Sequence, residues 1–274
     1  MDSKFTLKDF EIIKDLGTGS YGRVQLVKRK SDQKYYALKS VFLANAKQKE
    51  KGAALNEIRL LASIDMPYVV SYKSSFYAQD IQSLCIVMEF ADGGDLEAMI
   101  NLRMDSFGYS GFNEEFIWKT AFQVLKGLKG LHEHNIIHRD LKCANIFFAN
   151  GVAKIGDLNI SKITDNGFAS TQTGTPYYTS PEIWKGQKYD SKCDIWALGC
   201  IIYEMCTLLP PFRADDFPSL FKAVSNGTYE DIPKKYSQNL RDFIALCLKV
   251  DPIMRPGAYY LLEKPYFAKY DVSV

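Results

Sequence analysis

The chain has 274 residues, of which 47% are apolar and 24% charged, which suits one large globular domain or two small ones. A formal net charge of +2 gives no general electrostatic reason to expect nucleic acid or an anionic membrane surface as a partner. The longest apolar run, residues 195–209, is shorter than a membrane span and contains Glu204, so it predicts a buried helix.

The cysteines and the first residues indicate a reducing compartment. None of the six cysteines has C-x-x-C spacing, and the start MDSKFTLKDF lacks an apolar signal-peptide core and a myristoylation motif. We therefore expect a cytoplasmic protein without structural disulfides and without a membrane partner.

Strands are predicted up to about residue 90, because segments such as GRVQLVKR, KYYALKSV and SLCIVMEF are rich in β-branched and aromatic residues. One helix interrupts them at 46–64, where Ile58, Leu61 and Ile64 recur at spacing three. This part of the chain, about residues 1–90, predicts a small β-rich lobe.

Helices are predicted after about residue 91. Asn113 can cap a helix with acidic residues in its first turn, and this helix carries an apolar stripe of Ile117, Ala121, Val124, Leu128 and Leu131. Residues 91–274 therefore predict a larger helical lobe, and a ligand is expected between the two lobes.

A glycine pattern lies in the first predicted hairpin. In LGTGSYGRV, Gly17, Gly19 and Gly22 follow the order G-x-G-x-x-G-x-V, which lets backbone amides approach phosphate oxygens without hindrance from a Cβ. A dinucleotide-binding fold needs a helix directly at the glycines, but RVQLVKR continues as a strand. The pattern favours a hairpin folded over phosphates, and an ordinary hairpin turn is the alternative that the glycines alone leave open.

Lys39 in YALK and Glu57 in the predicted helix form a candidate ion pair. The pair would place an ammonium group on phosphates only when the helix is swung in, so it would act as a switch as well as a ligand. Taken singly, each residue is better explained as a solvated surface charge, and the pair gains weight only with the motif that follows.

That motif is HRDLKCANIFF, which places several polar groups between apolar pairs. Asp140 can orient or accept a hydroxyl proton, and Lys142 can offset phosphate charge. Asn145 and Asp157, which follows the short apolar strand VAKI, can supply oxygen ligands to Mg²⁺. A polar turn joining two strands is the alternative, but it explains neither the lysine nor the asparagine.

The ordered set GTGSYGRV, YALK, Glu57, HRDLKCAN, DLN, SPE, DIWALG and Arg255 resembles a eukaryotic protein kinase domain over about residues 8–268. Within that family, GTPYYTSPEIWKGQKYDSKCDIWALGCIIYEMC and GGDLEAMI are most similar to the NIMA-related serine/threonine kinases. The resemblance implies a single α+β domain of two lobes, with an antiparallel sheet and one main helix above a mainly helical lobe. It also implies transfer of the γ-phosphoryl group of ATP to Ser or Thr of protein substrates.

The resemblance further implies the roles of individual residues. Asp140, Lys142, Lys39 and Glu57 would be catalytic, and Asn145 and Asp157 would hold Mg²⁺. Within the ATP site, Met88 would be the gatekeeper, Glu89 and Ala91 the hinge backbone facing adenine, and Val24 and Ala37 the adenine roof. The residues expected to contact ATP are Leu16, Gly17, Thr18, Gly19, Ser20, Tyr21, Gly22, Arg23, Val24, Ala37, Lys39, Met88, Glu89, Ala91 and Phe147.

Two residues depart from the family pattern at the triplet that usually reads Asp-Phe-Gly. Leu158 for Phe is a conservative apolar change, and Asn159 for Gly keeps a residue that tolerates positive φ while disfavouring a flip of the triplet. Because no catalytic group is lost, we predict an active enzyme. The alternative is a pseudokinase scaffold that binds ATP or proteins without transfer. Ile160 directly follows the triplet, and a β-branched residue at this position is similar to that of kinases that phosphorylate threonine in preference to serine. The resemblance therefore implies a preference for threonine as the acceptor.

Regulation is expected in the segment between Asp157 and Glu182, which contains Thr171, Thr173 and Thr175. By resemblance Thr175 would have a structural role, whereas Thr171 would be the activating phosphorylation site. Arg139 is the first cation placed to receive that phosphate. Family resemblance also implies association with microtubules, centrosomes or cilia, or a location in the nucleus.

Overall fold

The computed structural model describes residues 5–19, 22–43, 58, 62–107, 110–158 and 176–271. A five-stranded antiparallel sheet forms the first lobe, with the strand order β1-β2-β3-β5-β4. Its strands are β1 (Phe10–Gly19), β2 (Gly22–Arg29), β3 (Tyr35–Phe42), β4 (Tyr72–Ala78) and β5 (Ser83–Glu89). The predicted antiparallel sheet is therefore confirmed. Of the helix predicted at 46–64, the described part is Ile58 and residues 62–64.

The sheet separates two apolar clusters because side chains alternate along each strand. One face carries Leu38 and Val87 and packs with the stacked rings of Phe10 and Phe76, whose centroids lie 5.8 Å apart. The other face carries Leu84 and joins the core of the second lobe. This second face is the one that looks into the space between the lobes.

The second lobe is mainly helical, as predicted. Its helices are α1 (Leu96–Phe107), α2 (Glu114–Glu133), α3 (Pro181–Trp184), α4 (Lys192–Thr207), α5 (Phe217–Asn226), α6 (Gln238–Cys247) and α7 (Ala258–Leu262). A two-stranded antiparallel hairpin, β6 (Ile146–Ala149) and β7 (Val152–Ile155), lies between α2 and α3 in the chain.

Helix α2 follows its predicted pattern. The Asn113 side chain accepts a hydrogen bond from the Phe116 backbone N–H at 2.8 Å, and every residue of the predicted apolar stripe is buried. Helix α4 is buried along nearly its whole length. No helix among the described residues has both the length and the apolar character that a membrane crossing requires. All six cysteines are free and buried.

The two lobes are joined by two sets of hydrogen bonds, one before β4 and one after β5. Before β4, Val70 N–H donates to the carbonyl of Ile155 at 2.9 Å, and Ile155 N–H donates to that of Tyr68 at 2.9 Å. After β5, Gly93 N–H donates to Phe148 and Phe148 N–H donates to Gly94, each at 2.8 Å. The β6–β7 hairpin therefore contacts the first lobe and the connection that leads out of it.

Candidate active site

The loop between α2 and β6 is held by a buried carboxylate from α4. Asp194 accepts the backbone N–H groups of His138 at 2.9 Å and Arg139 at 3.0 Å, and it also bonds the ring of His132 at 2.9 Å. Burial alone would raise the pKa of Asp194, but the hydrogen bond and charge of His132 and the His138 contacts hold it below the ordinary value. Asp194 is therefore an ionised anchor for this loop.

Two residues of the site have backbone conformations that are uncommon without glycine. Arg139 has φ 66° and Asp157 has φ 51°, both in the left-handed region. The hydrogen bond from Arg139 N–H to Asp194 helps to hold the first of these conformations. Such conformations cost free energy and persist where the surrounding structure imposes them.

The loop brings Asp140, Lys142 and Asn145 together. Lys142 Nζ lies 3.4 Å from Asp140 Oδ2, and both side chains are about one third exposed. The amide nitrogen of Asn145 donates to the Asp140 carbonyl at 2.7 Å, which leaves the amide oxygen available as a ligand. The carboxylate of Asp140 is thus accessible beside a lysine ammonium group.

Asp157 joins this group from the end of β7. Gly156 N–H donates to the Asn145 carbonyl at 2.9 Å, and Lys39 Nζ on β3 lies 2.9 Å from Asp157 Oδ1. Burial alone would raise the pKa of Asp157, but the charge and hydrogen bond of Lys39, with His138 and Lys142, hold it below the ordinary value. The carboxylate is therefore ionised at neutral pH.

His138 links the loop to the residue before Asp157. Its Nδ1 accepts the Asp140 backbone N–H at 3.3 Å, and its Nε2 lies 3.0 Å from the Gly156 carbonyl. With Nδ1 as the acceptor, the ring N–H lies at Nε2 and donates to the Gly156 carbonyl. Leu158 then packs into the main core with 4% exposure, as its apolar character predicted.

Three residues predicted around adenine, Val24, Ala37 and Met88, lie on neighbouring strands of the sheet. Ala37 pairs with Met88 across β3 and β5, and Val24 pairs with Lys39 across β2 and β3. Lys39, Met88 and Leu158 line a common cavity. A Cβ on Gly22, whose φ is 150°, would lie 1.9 Å from the Ser40 carbonyl oxygen, so this hairpin requires glycine there.

Other predicted ATP contacts differ in how closely their side chains approach the site. Phe147 on β6 packs against Gly156, where a Cβ would lie 2.6 Å from its ring. Leu16 is partly exposed, and the Arg23 guanidinium is paired with Asp15 on the exposed side of the hairpin. The Arg23 side chain is therefore directed to Asp15, and its contact with ATP stays a prediction.

Two buried carboxyl groups anchor the chain that follows residue 175. Glu182 forms a double ion pair with Arg255 at 2.8 and 3.0 Å, and both side chains are almost fully buried. Glu204 accepts the Tyr178 hydroxyl at 2.7 Å, and Cys143 Sγ lies 3.6 Å from the same carboxyl oxygen. Glu204 thus connects this segment to the loop that carries Asp140.

A model of the protein kinase domain matches residues 10–267. The chain belongs to the protein kinase family. Among curated proteins it is 41% identical over 268 residues to "Probable serine/threonine-protein kinase nek3" of Dictyostelium discoideum, covering 95% of this chain and 24% of that protein. It is 36% identical over 269 residues to Nek2 of Homo sapiens, covering 95% and 60% of the two chains.

A third relative, Nek5 of Mus musculus, is 39% identical over 264 residues, which cover 95% of this kinase chain and 40% of Nek5. The predicted resemblance to the NIMA-related kinases and the predicted bilobal kinase fold are therefore confirmed. The kinase chain spans between about a quarter and three fifths of the length of these three relatives.

Several predicted residues of the kinase site lie outside the described part of the chain. They are Ser20, Tyr21, Glu57, Asn159, Ile160, Thr171, Thr173 and Thr175. The Lys39–Glu57 pair therefore stays a prediction, and Lys39 additionally contacts Asp157.

Sequence reasoning assigned no role to Asp194, Tyr178 or Glu204, although all three lie in segments quoted for the family resemblance. A signal was present, because an acidic residue within an apolar helix must find a partner when it is buried. The sequence also contained no indication that Lys154 on β7 would pair with Glu89 at the end of β5.

Proposed function

We propose that this chain is an ATP-dependent protein kinase that phosphorylates serine or threonine residues. The observation that carries the proposal is the convergence of Lys39, Asp140, Lys142, Asn145 and Asp157, which come from β3, the loop before β6 and the end of β7. These residues carry the kinds of group that phosphoryl transfer uses, which supports an enzyme over a pseudokinase scaffold.

Asp140 is proposed to orient the acceptor hydroxyl and to accept its proton. Its carboxylate is accessible, and the bond from Asn145 to its backbone carbonyl fixes the loop beneath it. Lys142, beside Asp140, would balance charge on the transferred group, and Lys39 would bind the phosphates that remain. Positioning and charge balance are the main contributions a protein makes to this reaction.

The donor set also fits Mg²⁺. Asp157 is ionised, and the Asn145 amide oxygen is left available because the amide nitrogen is already bonded. Mg²⁺ prefers oxygen ligands and usually takes only one or two carboxylates from the protein, the phosphates supplying others. When bound, Mg²⁺ would neutralise phosphate charge. Asp157 and Asn145 are the residues that would hold it.

The proposal is tested by replacing Asp140 with Asn and measuring transfer from radiolabelled ATP to a generic protein acceptor. Loss of a general base lowers turnover by about 100- to 10,000-fold, whereas ADP binding should be retained. Asp105→Asn, the same change at an exposed position on α1, should leave turnover unaffected. Unchanged turnover in Asp140→Asn would remove Asp140 from the mechanism, and a parent chain without transfer would contradict the proposal.

We further propose that phosphorylation of Thr171 activates the enzyme, with Arg139 receiving the phosphate, and that threonine is the preferred acceptor. The phosphate would add about −1.5 to −2 charges beside a guanidinium that also lies over the Tyr189 ring at 5.4 Å. Thr171→Ala should therefore show a deep loss of activity after preincubation with ATP, partly restored by Thr171→Glu. Full activity of Thr171→Ala would contradict the switch, and a peptide array that favours serine would contradict the acceptor preference.

Sites of action are proposed from the family alone. A cytoplasmic location with association to microtubules, centrosomes or cilia is compatible with the free cysteines but rests on the resemblance to NIMA-related kinases. Imaging of the tagged protein in its own cells, with and without microtubule depolymerisation, would test this association.

A further inference from the structure

An ion pair links the last residue of β5 to the β6–β7 hairpin of the other lobe. Lys154 Nζ lies 2.8 Å from Glu89 Oε2, and the two side chains are only 13% and 21% exposed. Glu89 ends the strand from which the chain passes to the second lobe, and Lys154 lies two residues before Gly156 on β7. The pair therefore bridges the lobes beside the predicted adenine site.

The Glu89 carboxylate is fixed by more than the lysine. The same oxygen, Oε2, accepts the Ser71 backbone N–H at 3.2 Å, while Glu89 N–H donates to the Ser71 carbonyl at 2.9 Å. Glu89 also pairs with Tyr36 across β3 and β5. These contacts hold the side chain of Glu89 toward β7 and fix the position of the Glu89 backbone.

Lys154 lies on the β6–β7 hairpin directly opposite a residue of the predicted ATP site. It pairs with Phe147 across the hairpin, so the two side chains project from the same face. Phe147 is the residue that packs against Gly156 and is predicted to contact ATP. A shift of Lys154 relative to Glu89 would therefore change the separation between Phe147 and the end of β5.

The far end of the connection between the lobes is held by backbone hydrogen bonds and by one hydrogen bond to a side chain. Gly93 and Gly94 exchange hydrogen bonds with Phe148, and Asn150 N–H donates to the Asp92 side chain at 2.8 Å. The β6–β7 hairpin thus holds both ends of residues 89–94, and the Glu89–Lys154 pair is the side-chain contact at the first end.

We propose that Lys154 is a positioning residue for nucleotide binding, which sets the width of the adenine site by pairing with Glu89 across the two lobes. This inference rests on the proposed function, since it takes ATP as the phosphoryl donor. Loss of either partner leaves a largely buried charge without its counter-ion, so the hairpin and the β5 end must separate or admit water. Lys154 acts through Glu89 and Phe147 and touches no reacting atom.

The experiment measures the dissociation constant for ADP by calorimetry and the KM for ATP and kcat in steady state. Lys154→Met keeps chain length without charge, and Glu89→Gln keeps shape without charge while leaving the hinge backbone intact. We expect each variant to weaken ADP binding and raise the KM for ATP about tenfold, with kcat changed less than about twofold. Lys154→Arg should bind ADP with nearly the affinity of the parent chain, because arginine keeps the positive charge.

The double variant Glu89→Gln with Lys154→Met should bind ADP no worse than either single variant, because the two substitutions remove the same interaction. Lys129→Met is the matched control, since it breaks the exposed Lys129–Glu133 pair on α2, away from the hinge. It should leave ADP affinity unchanged.

Three results would overturn the inference while the proposed function stands: parent-like ADP affinity in both single variants, additive losses in the double variant, or an Arg variant as weak as the Met variant. If circular dichroism shows that Lys154→Met is unfolded, Glu89→Gln and Lys154→Arg decide the question by the same criteria. A parent chain that binds no ADP would overturn the proposed function and this inference together.

Discussion

Glu204 shows how a single buried group responds to its surroundings. Burial raises its pKa, and although the hydrogen bonds from Tyr178 and Cys143 act in the opposite direction, they only partly offset the effect. An acid with a raised folded-state pKa favours the protonated form. Its contribution to stability is present below its ordinary pKa and is lost as pH rises through the folded value.

Glu204→Gln should therefore make the free energy of unfolding less dependent on pH between 5 and 8 and leave it at least as high as the parent's at pH 8. The Gln carbonyl can still accept the Tyr178 hydroxyl, whereas Glu204→Ala leaves that buried donor unpaired and should cost about 1–3 kcal/mol. Urea denaturation of the three proteins across this pH range measures both effects. Equal losses in the two variants would contradict the argument.

At the scale of the element, helix α2 contains two glycines, Gly127 and Gly130. Each lowers the stability of the helix relative to alanine, but the two have different surroundings. A Cβ on Gly127 would lie 2.8 Å from the Tyr68 carbonyl oxygen and 3.0 Å from Ile155 Cδ1. The Tyr68 carbonyl accepts the N–H of Ile155, one of the bonds between the lobes. Gly127 therefore allows the chain before β4 to approach α2 closely. A Cβ on Gly130 would instead meet the sulfur of Met66, at the end of a flexible side chain.

Gly127→Ala should lower the free energy of unfolding by about 1–3 kcal/mol, because backbone must move to admit the methyl group. Gly130→Ala is the matched control and should change it by less than about 1 kcal/mol, since Met66 can move and alanine favours the helix. Urea unfolding of both variants makes the comparison. A larger loss in Gly130→Ala than in Gly127→Ala would show that the carbonyl contact is not the limiting one.

For the whole molecule, partly or fully buried carboxylates determine the response to acid. The pKa values of Asp157, Glu182 and Asp194 are all below their ordinary values: burial opposes ionisation in each, but Lys39, Arg255 and His132 respectively outweigh it. A depressed folded-state pKa gives stability that is complete above the ordinary value. That stability is lost as pH falls through the folded one.

The urea midpoint of the protein should therefore decline as pH is lowered below about 4.5, where the first of these groups would protonate in the unfolded chain. Asp194→Asn should lower the midpoint at pH 7, because His138 and Arg139 lose an ionised acceptor, and should reduce the decline toward pH 3. The exposed Asp105→Asn serves as the control. An acid decline in Asp194→Asn as steep as in the parent would exclude Asp194 as a main contributor.

The sequence by itself determined the parts of this kinase that depend on neighbours along the chain. Segments rich in β-branched and aromatic residues predicted the strands of the sheet, and the cap at Asn113 with its apolar stripe predicted α2, because both signals reflect local conformational preferences. The motif HRDLKCAN brought Asp140, Lys142 and Asn145 within a single short loop, so their proximity was visible before any fold was known.

Only the tertiary structure decided which distant residues meet. The sequence did not indicate that Lys39 and Asp157, 118 residues apart in the chain, would form an ion pair. Nothing in the spacing of Glu89 and Lys154 indicated their ion pair. Periodicity specifies which face of an element is buried, but the partner on that face depends on how separate elements pack. Long-range ion pairs and close backbone approaches are therefore properties of the packed lobes and not of any one segment.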